Sequence, residues 1–182
     1  MEFSTMQCGI VLSGDLSEDS QVAFLEKDSL ETFSVSTNDE IVELLEGRRP
    51  EVTALNAPPE KVGRGKTGQF REGEQDLVEE GHSILPQGMR DSAVLERAEH
   101  LSRSIEAAGV GTTIIESVPR LAASILDLSG DEDLERLGVS TGEIENVGEY
   151  DAVVLAVVAA LYADNRCEDH GIVVPEGEVG SI

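Results

Sequence analysis

Residues 152–163, AVVLAVVAALYA, form an unbroken run of twelve apolar side chains in a chain that is otherwise rich in acid. Its valines suit a strand, but its length favours a helix buried on all sides. As the longest apolar run it falls short of the roughly 20 residues that a membrane span needs. The N-terminus shows no basic segment backed by an apolar stretch, so no secretory signal is expected and the reading is of a soluble, cytoplasmic protein. With 182 residues, a single domain over 1–182 is expected, its core aliphatic because aromatic residues are scarce and Trp is absent.

Ahead of that helix the pattern changes from strands to alternating strands and helices. QCGIVLS (7–13), SQVAFLEK (20–27) and LETFSVS (30–36) read as three strands of an antiparallel meander. TNDEIVELLEG (37–47) has a helix start at Thr37 or Asn38, acids in its first turn and Gly47 at its end. EVTALN (51–56) is a fourth strand, and the Pro and Gly content from Ala57 to about Arg71 predicts a mobile loop. GEQDLVEEG (73–81) is a short acidic helix, and Asp91 or Ser92 caps a longer one that Gly109 stops. TTIIES (112–117) is a fifth strand, Pro119 opens a helix, DEDLERLG (131–138) is a small helix, and GIVVP (171–175) is a short last strand. Three antiparallel strands followed by α/β units predict a mixed five-stranded sheet with helices on both faces.

LNAPPEKVGRGKTG (55–68) ends like a phosphate-binding P-loop, but the spacing rejects that reading. Glu60 stands where the first glycine belongs, and Pro58 and Pro59 have no N–H to offer a phosphate. The stretch is nevertheless unusual in charge. Between Arg48 and Arg71 lie six bases against Glu51 and Glu60. Lys61, Arg64, Lys66 and Arg71 are candidate phosphate ligands; a loop solvated against an acidic surface is the equal alternative. Glu116 at the end of the fifth strand and Asp151 at the start of the long helix are candidate metal-binding carboxylates. Their alternatives are a cap on the following helix for Glu116 and a helix-start acid for Asp151. His82, His100 and His170 are isolated, Cys8 and Cys167 have no ligand spacing, and no nucleophile motif supports acyl transfer.

Gly9-Ile10, Leu55-Asn56-Ala57-Pro58, FREGEQDLVEEG (70–81), Ile115-Glu116-Ser117-Val118-Pro119, Tyr150-Asp151-Ala152 and the terminal GIVVPEG recur here in a familiar order. In these residues the chain resembles a widespread prokaryotic family of uncharacterised, predicted ribonuclease-H-like nucleases. The resemblance implies a ribonuclease-H-like α/β fold, nucleic acid or another phosphate-containing ligand as partner, and Mg²⁺ or Mn²⁺ as cofactor. It implies an acid after strand one, another after strand four, a glutamate after strand five and an aspartate on the last helix. Glu116 and Asp151 match the last two. Val11 and Asn56 stand in place of the first two: valine cannot hold a cation and asparagine offers only a neutral carbonyl. The expectation is therefore a degenerate site at Asn56, Glu116 and Asp151, with metal at Glu116 and Asp151. An active metal-dependent nuclease or phosphohydrolase would need a substitute ligand such as Glu60, Asp91 or Asp15; a non-catalytic interaction protein would need none.

Thirty-seven acids face thirteen bases, of which three are lysine, for a net charge of −24. Such an acid-rich, lysine-poor chain suits a salt-loaded, halophilic cytoplasm, because molar salt shortens the Debye length to about 3 Å and removes self-repulsion. The expected outcome is a melting temperature that rises as KCl goes from about 0.1 to about 2 M. A flat or falling melting temperature over that range contradicts the reading.

Overall fold

The computed structural model describes residues 5–15, 17–27, 29–61, 68–142 and 144–177. Strands β1 (Gln7–Val11), β2 (Ser20–Glu26) and β3 (Ser29–Val35) form the expected antiparallel meander. Helix α1 (Asn38–Arg48) then leads into β4 (Val52–Leu55), which lies parallel to β1. Helix α2 (Glu72–Glu79), a single 3-10 turn and α3 (Ser92–Ala107) precede β5 (Thr113–Glu116), which is parallel to β4. The five strands stand in the order β3-β2-β1-β4-β5. Helices α4 (Pro119–Ile125), α5 (Asp131–Arg136) and α6 (Val147–Ala163) follow, and the chain closes with a small hairpin of β6 (Cys167–Asp169) and β7 (Val173–Pro175).

The apolar run is indeed a helix. Residues 152–161 of α6 are all buried, and the helix lies across β1, β2 and β4. Each valine or leucine so enclosed contributes roughly 1.5–3 kcal/mol relative to exposure. The close approach depends on Gly9, since a Cβ there would collide with the carbonyl of Ala152 and the N–H of Ala156. Gly9 pairs with Ala54 and Ala54 with Ile115, and the last two share the apolar cluster of α6. On the alternate pleat, Ile10 and Leu55 join Ile41 and Leu45 of α1 and Leu101 and Ile105 of α3. The sheet is thus covered on both faces, and the pleat assigns each strand residue to one helical layer or the other.

Two local details differ from the sequence expectation. Helix α1 runs through Gly47 to Arg48 and is capped by Arg49, which takes the left-handed conformation (φ 50°). The helix keeps its hydrogen bonding because the Arg49 N–H donates to the Leu45 carbonyl. Strand β6 was not expected: it has three residues, two of them exposed, and so carries no apolar alternation. Elsewhere the cap signals hold. Thr37 and Glu40 form a reciprocal capping box on α1, Asp91 caps α3, and Gly109 (φ 67°) stops it.

Candidate functional site

In register with Ile10 and Leu55, Glu116 follows the side of the sheet that faces α1 and α3. It is buried, 3% exposed, and both of its carboxylate oxygens are taken. Oε2 accepts from Arg71 Nη2 (2.6 Å) and Oε1 from Arg90 Nη1 (2.7 Å). The two guanidiniums also share Glu74, whose Oε1 accepts from Arg71 Nε (2.7 Å) and Arg90 Nη2 (2.9 Å). Glu74 Oε2 accepts the backbone N–H of Arg71 (2.9 Å), and Arg90 Nε donates to the Leu85 carbonyl (3.0 Å). Two carboxylates and two guanidiniums form a closed, charge-balanced quartet.

The local sequence explains how these four meet. Arg71 immediately precedes α2, and Glu74 is the third residue of that helix, so it reaches back to the Arg71 N–H. Leu77, one turn on, anchors the helix in a small cluster with Leu121, Ile172 and Val174. Hairpin residue Gly171 lies against the Arg71 guanidinium, and Gly73 of α2 lies against the backbone of His170. Burial pushes the Glu116 carboxyl above its ordinary value, with Arg71 and Arg90 offsetting part of that rise. Burial acts the same way on Glu74, but the Arg71 N–H and both guanidiniums outweigh it and hold that carboxyl below its ordinary value.

Asn56 follows β4 and serves as a clamp between strand ends. Its Oδ1 accepts from the Leu12 N–H (2.9 Å) and its Nδ2 donates to the Leu12 carbonyl (3.2 Å). Only an amide makes both bonds; a carboxylate here would face a carbonyl. Val11 packs against the α6 cluster. Asp151 sits one turn inside α6, which packs on the face of the sheet away from α1 and α3, and the charge that acts on it is Arg120. Burial raises its carboxyl above the ordinary value, partly offset by Arg120. The helix-start role considered for Asp151 belongs instead to Asn146 and the buried Glu149, and the N-cap of α4 is Val118, with no side-chain cap hydrogen bond, so Glu116 is not a cap either.

The structure therefore brings Glu116 and Arg71 together but does not gather Glu116 and Asp151 around shared charged partners. Asp15 binds Ser17, Asp91 caps α3, and Glu60 is exposed beside Pro59. Among the described residues no group of three His, Cys, Asp or Glu side chains is placed to hold a metal ion. The donor set does not fit Mg²⁺ or Mn²⁺: Val11 has no donor, Asn56 is committed to backbone, and Glu116 is neutralised by arginine. Of the other phosphate candidates, Lys61 is exposed, and Arg64 and Lys66, with the centre of the expected mobile loop, lie outside the described residues.

Beside the quartet, at the carboxyl ends of β4 and β5, opens a cleft of about 780 Å³. Asn56 and Arg90 line it, with Val94 and Leu95 of α3, Arg120 and Leu121 of α4, and residues 81–85. Such edges are where open α/β sheets bind ligands. Glu74, Arg90 and Arg120 were not anticipated from the sequence. The one available signal was the spacing of Glu74 and Leu77, which puts an acid on the buried face of α2.

The mixed sheet, its strand order and the helix on each face define a ribonuclease-H-like fold. Among solved structures, the chain is similar to RuvC of Thermus thermophilus, with TM-score 0.51 and 15% identity over 93% of this chain and 99% of that one. It is also similar to T. thermophilus RuvC in complex with Holliday junction substrate, with TM-score 0.50 and 14% identity over 88% and 96%. No protein-family model and no curated protein matches the chain.

The quartet generates a pH prediction. The folded-state value of Glu74 lies below its unfolded one, so its contribution is present above the unfolded value of 4.5 and is lost as pH falls through the folded value. Glu74→Gln should cost about 3 kcal/mol at pH 7, by leaving two arginines short of a partner, and should make the remaining acid limb shallower. Urea titrations between about pH 3 and 7 check this; an unchanged limb or a loss below about 0.5 kcal/mol contradicts it.

Proposed function

We propose that this chain is a ribonuclease-H-like protein of the family it resembles in sequence, that it has lost two-metal cleavage chemistry, and that it engages a phosphate-bearing strand without cutting it. The observation that carries this reading is the commitment of both Glu116 oxygens to Arg71 and Arg90. Two-metal hydrolysis needs anionic oxygens free to bind cations that stabilise the attacking and leaving groups. Val11, the amide of Asn56 and the neutralised Glu116 supply none.

Nucleic acid is the favoured partner because a solved neighbour of the same fold is seen with a Holliday junction. The concentration of bases between Arg48 and Arg71 supports it too, in a chain whose net charge of −24 otherwise repels phosphate. Part of that group is already occupied. Arg71 belongs to the quartet, and Arg48 pairs with Glu31 and stacks over Phe24 and Phe33. Lys61, with Arg64 and Lys66, remains the proposed contact to phosphate.

Labelled single-stranded, duplex and four-way-junction DNA, incubated with Mg²⁺ or Mn²⁺, should emerge uncut. Fluorescence anisotropy should show binding that weakens as KCl rises, and Lys61→Ser should reduce the slope of log K against log salt by about 1. Metal-dependent cleavage abolished by Glu116→Ala would overturn the loss of chemistry. Failure to bind any of the three DNAs at about 0.1 M KCl would overturn the partner.

A further inference from the structure

Arg120 is the most available charge at this end of the sheet. It is exposed and makes no hydrogen bond or ion pair with any described residue. It stands on the wall of the 780 Å³ cleft, a volume within the range of small-molecule sites and far larger than a lone anion requires. Arg90 forms another part of that wall, held in place by Glu74, Glu116 and the Leu85 carbonyl. A chain with thirty-seven acids contributes a single one, Asp91, to the lining, and Asp91 Oδ1 is occupied by the Ala93 N–H. Asp151 faces Arg120 from α6 without bonding to it. Arg90 is balanced within the quartet, so Arg120 is the lining guanidinium with its donors uncommitted among the described residues.

The remaining lining is mixed. Leu85, Leu95, Val118 and Leu121 give an apolar wall, and His82, Ser83 and Ser124 bring polar groups. We propose that this cleft binds a nucleoside monophosphate unit, its phosphate on the Arg120 guanidinium and its sugar and base along the apolar wall. A guanidinium presents a planar fork that matches phosphate oxygens in pairs. An apolar wall interrupted by hydroxyl and imidazole groups suits a flat body bearing heteroatoms better than an acyl chain. The unit comes from a free nucleotide or from the phosphorylated end of a strand. The inference rests on the preceding reading only in assuming that the ligand is bound and not cut.

Isothermal titration with adenosine 5′-monophosphate tests the site directly. One saturable site is expected, with adenosine and inorganic phosphate each at least about tenfold weaker. Arg120→Ser should weaken the nucleotide by at least about tenfold while the chain stays folded by circular dichroism, and Arg120→Lys, which keeps the charge facing Asp151 but lacks the planar fork, should also weaken it. Ser124→Trp, on an exposed position of the wall, should fill the cleft and abolish binding. Displacement of the nucleotide by a 5′-phosphorylated oligonucleotide assigns the site to a strand end; an undisturbed nucleotide assigns it to the free form. No binding, or equal affinity in Arg120→Ser, overturns the proposal. DNA binding insensitive to the nucleotide and to Arg120→Ser would leave the strand-binding reading intact while this site fails; nucleotide binding without DNA binding would do the reverse.

Discussion

Four side chains from three separate segments, Arg71 and Glu74 at the start of α2, Arg90 before α3 and Glu116 at the end of β5, are held in one network of hydrogen-bonded ion pairs. It joins α2, the segment before α3 and the end of β5 at the carboxyl edge of the sheet. The network fixes where α2 begins, and α2 in turn supports the β6–β7 hairpin through Leu77 and Gly73. It also holds Arg90 against Leu85, so one wall of the cleft is shaped by the same contacts. A buried ion pair adds little net stability compared with apolar packing, but removing one member leaves an uncompensated charge and costs several kcal/mol. The quartet's role is to specify an arrangement, and its balanced charge lets arginine fill a place where an acidic site would otherwise call for a cation.

The rest of the fold is held by apolar burial of the ordinary kind. Helix α6 has no polar face over ten residues and needs a sheet that lets it come close, which Gly9 and Ala54 provide. On the opposite face α1 and α3 complete the sandwich through Ile10, Leu55 and Ile105. Charge repulsion from the acidic surface acts against this compact state, and only salt or pairing relieves it. The site is the exception to that surface: within it, acids and bases are matched one to one.

Much of the architecture was legible because its signals are local or periodic. The length of the 152–163 run, the Thr37 and Asp91 caps, Pro119 and Gly109 each act within a few residues, and the structure follows them. Asn56 and Glu116 stood out by their place at strand ends. What they do was not legible, since it depends on which pleat each occupies and on partners far along the chain: Asn56 meets Leu12, and Glu116 meets Arg71 and Arg90. The charged partners of Glu116 and Asp151 also differ, Arg71 and Arg90 for one and Arg120 for the other, which no spacing in the sequence reveals. Glu74 was hidden for a different reason. In a chain with so many acids, one more glutamate on an acidic helix reads as surface, and only its spacing from Leu77 marks it as buried.

Whether Glu116 is bound to arginine as an integral part of the fold is decided by a double-mutant cycle of Glu116→Gln and Arg90→Met, followed by urea unfolding at neutral pH. A coupling of at least about 1.5 kcal/mol is expected, with the double variant more stable than the two single losses added together. Single losses that add to within about 0.5 kcal/mol would show two independent side chains and contradict it.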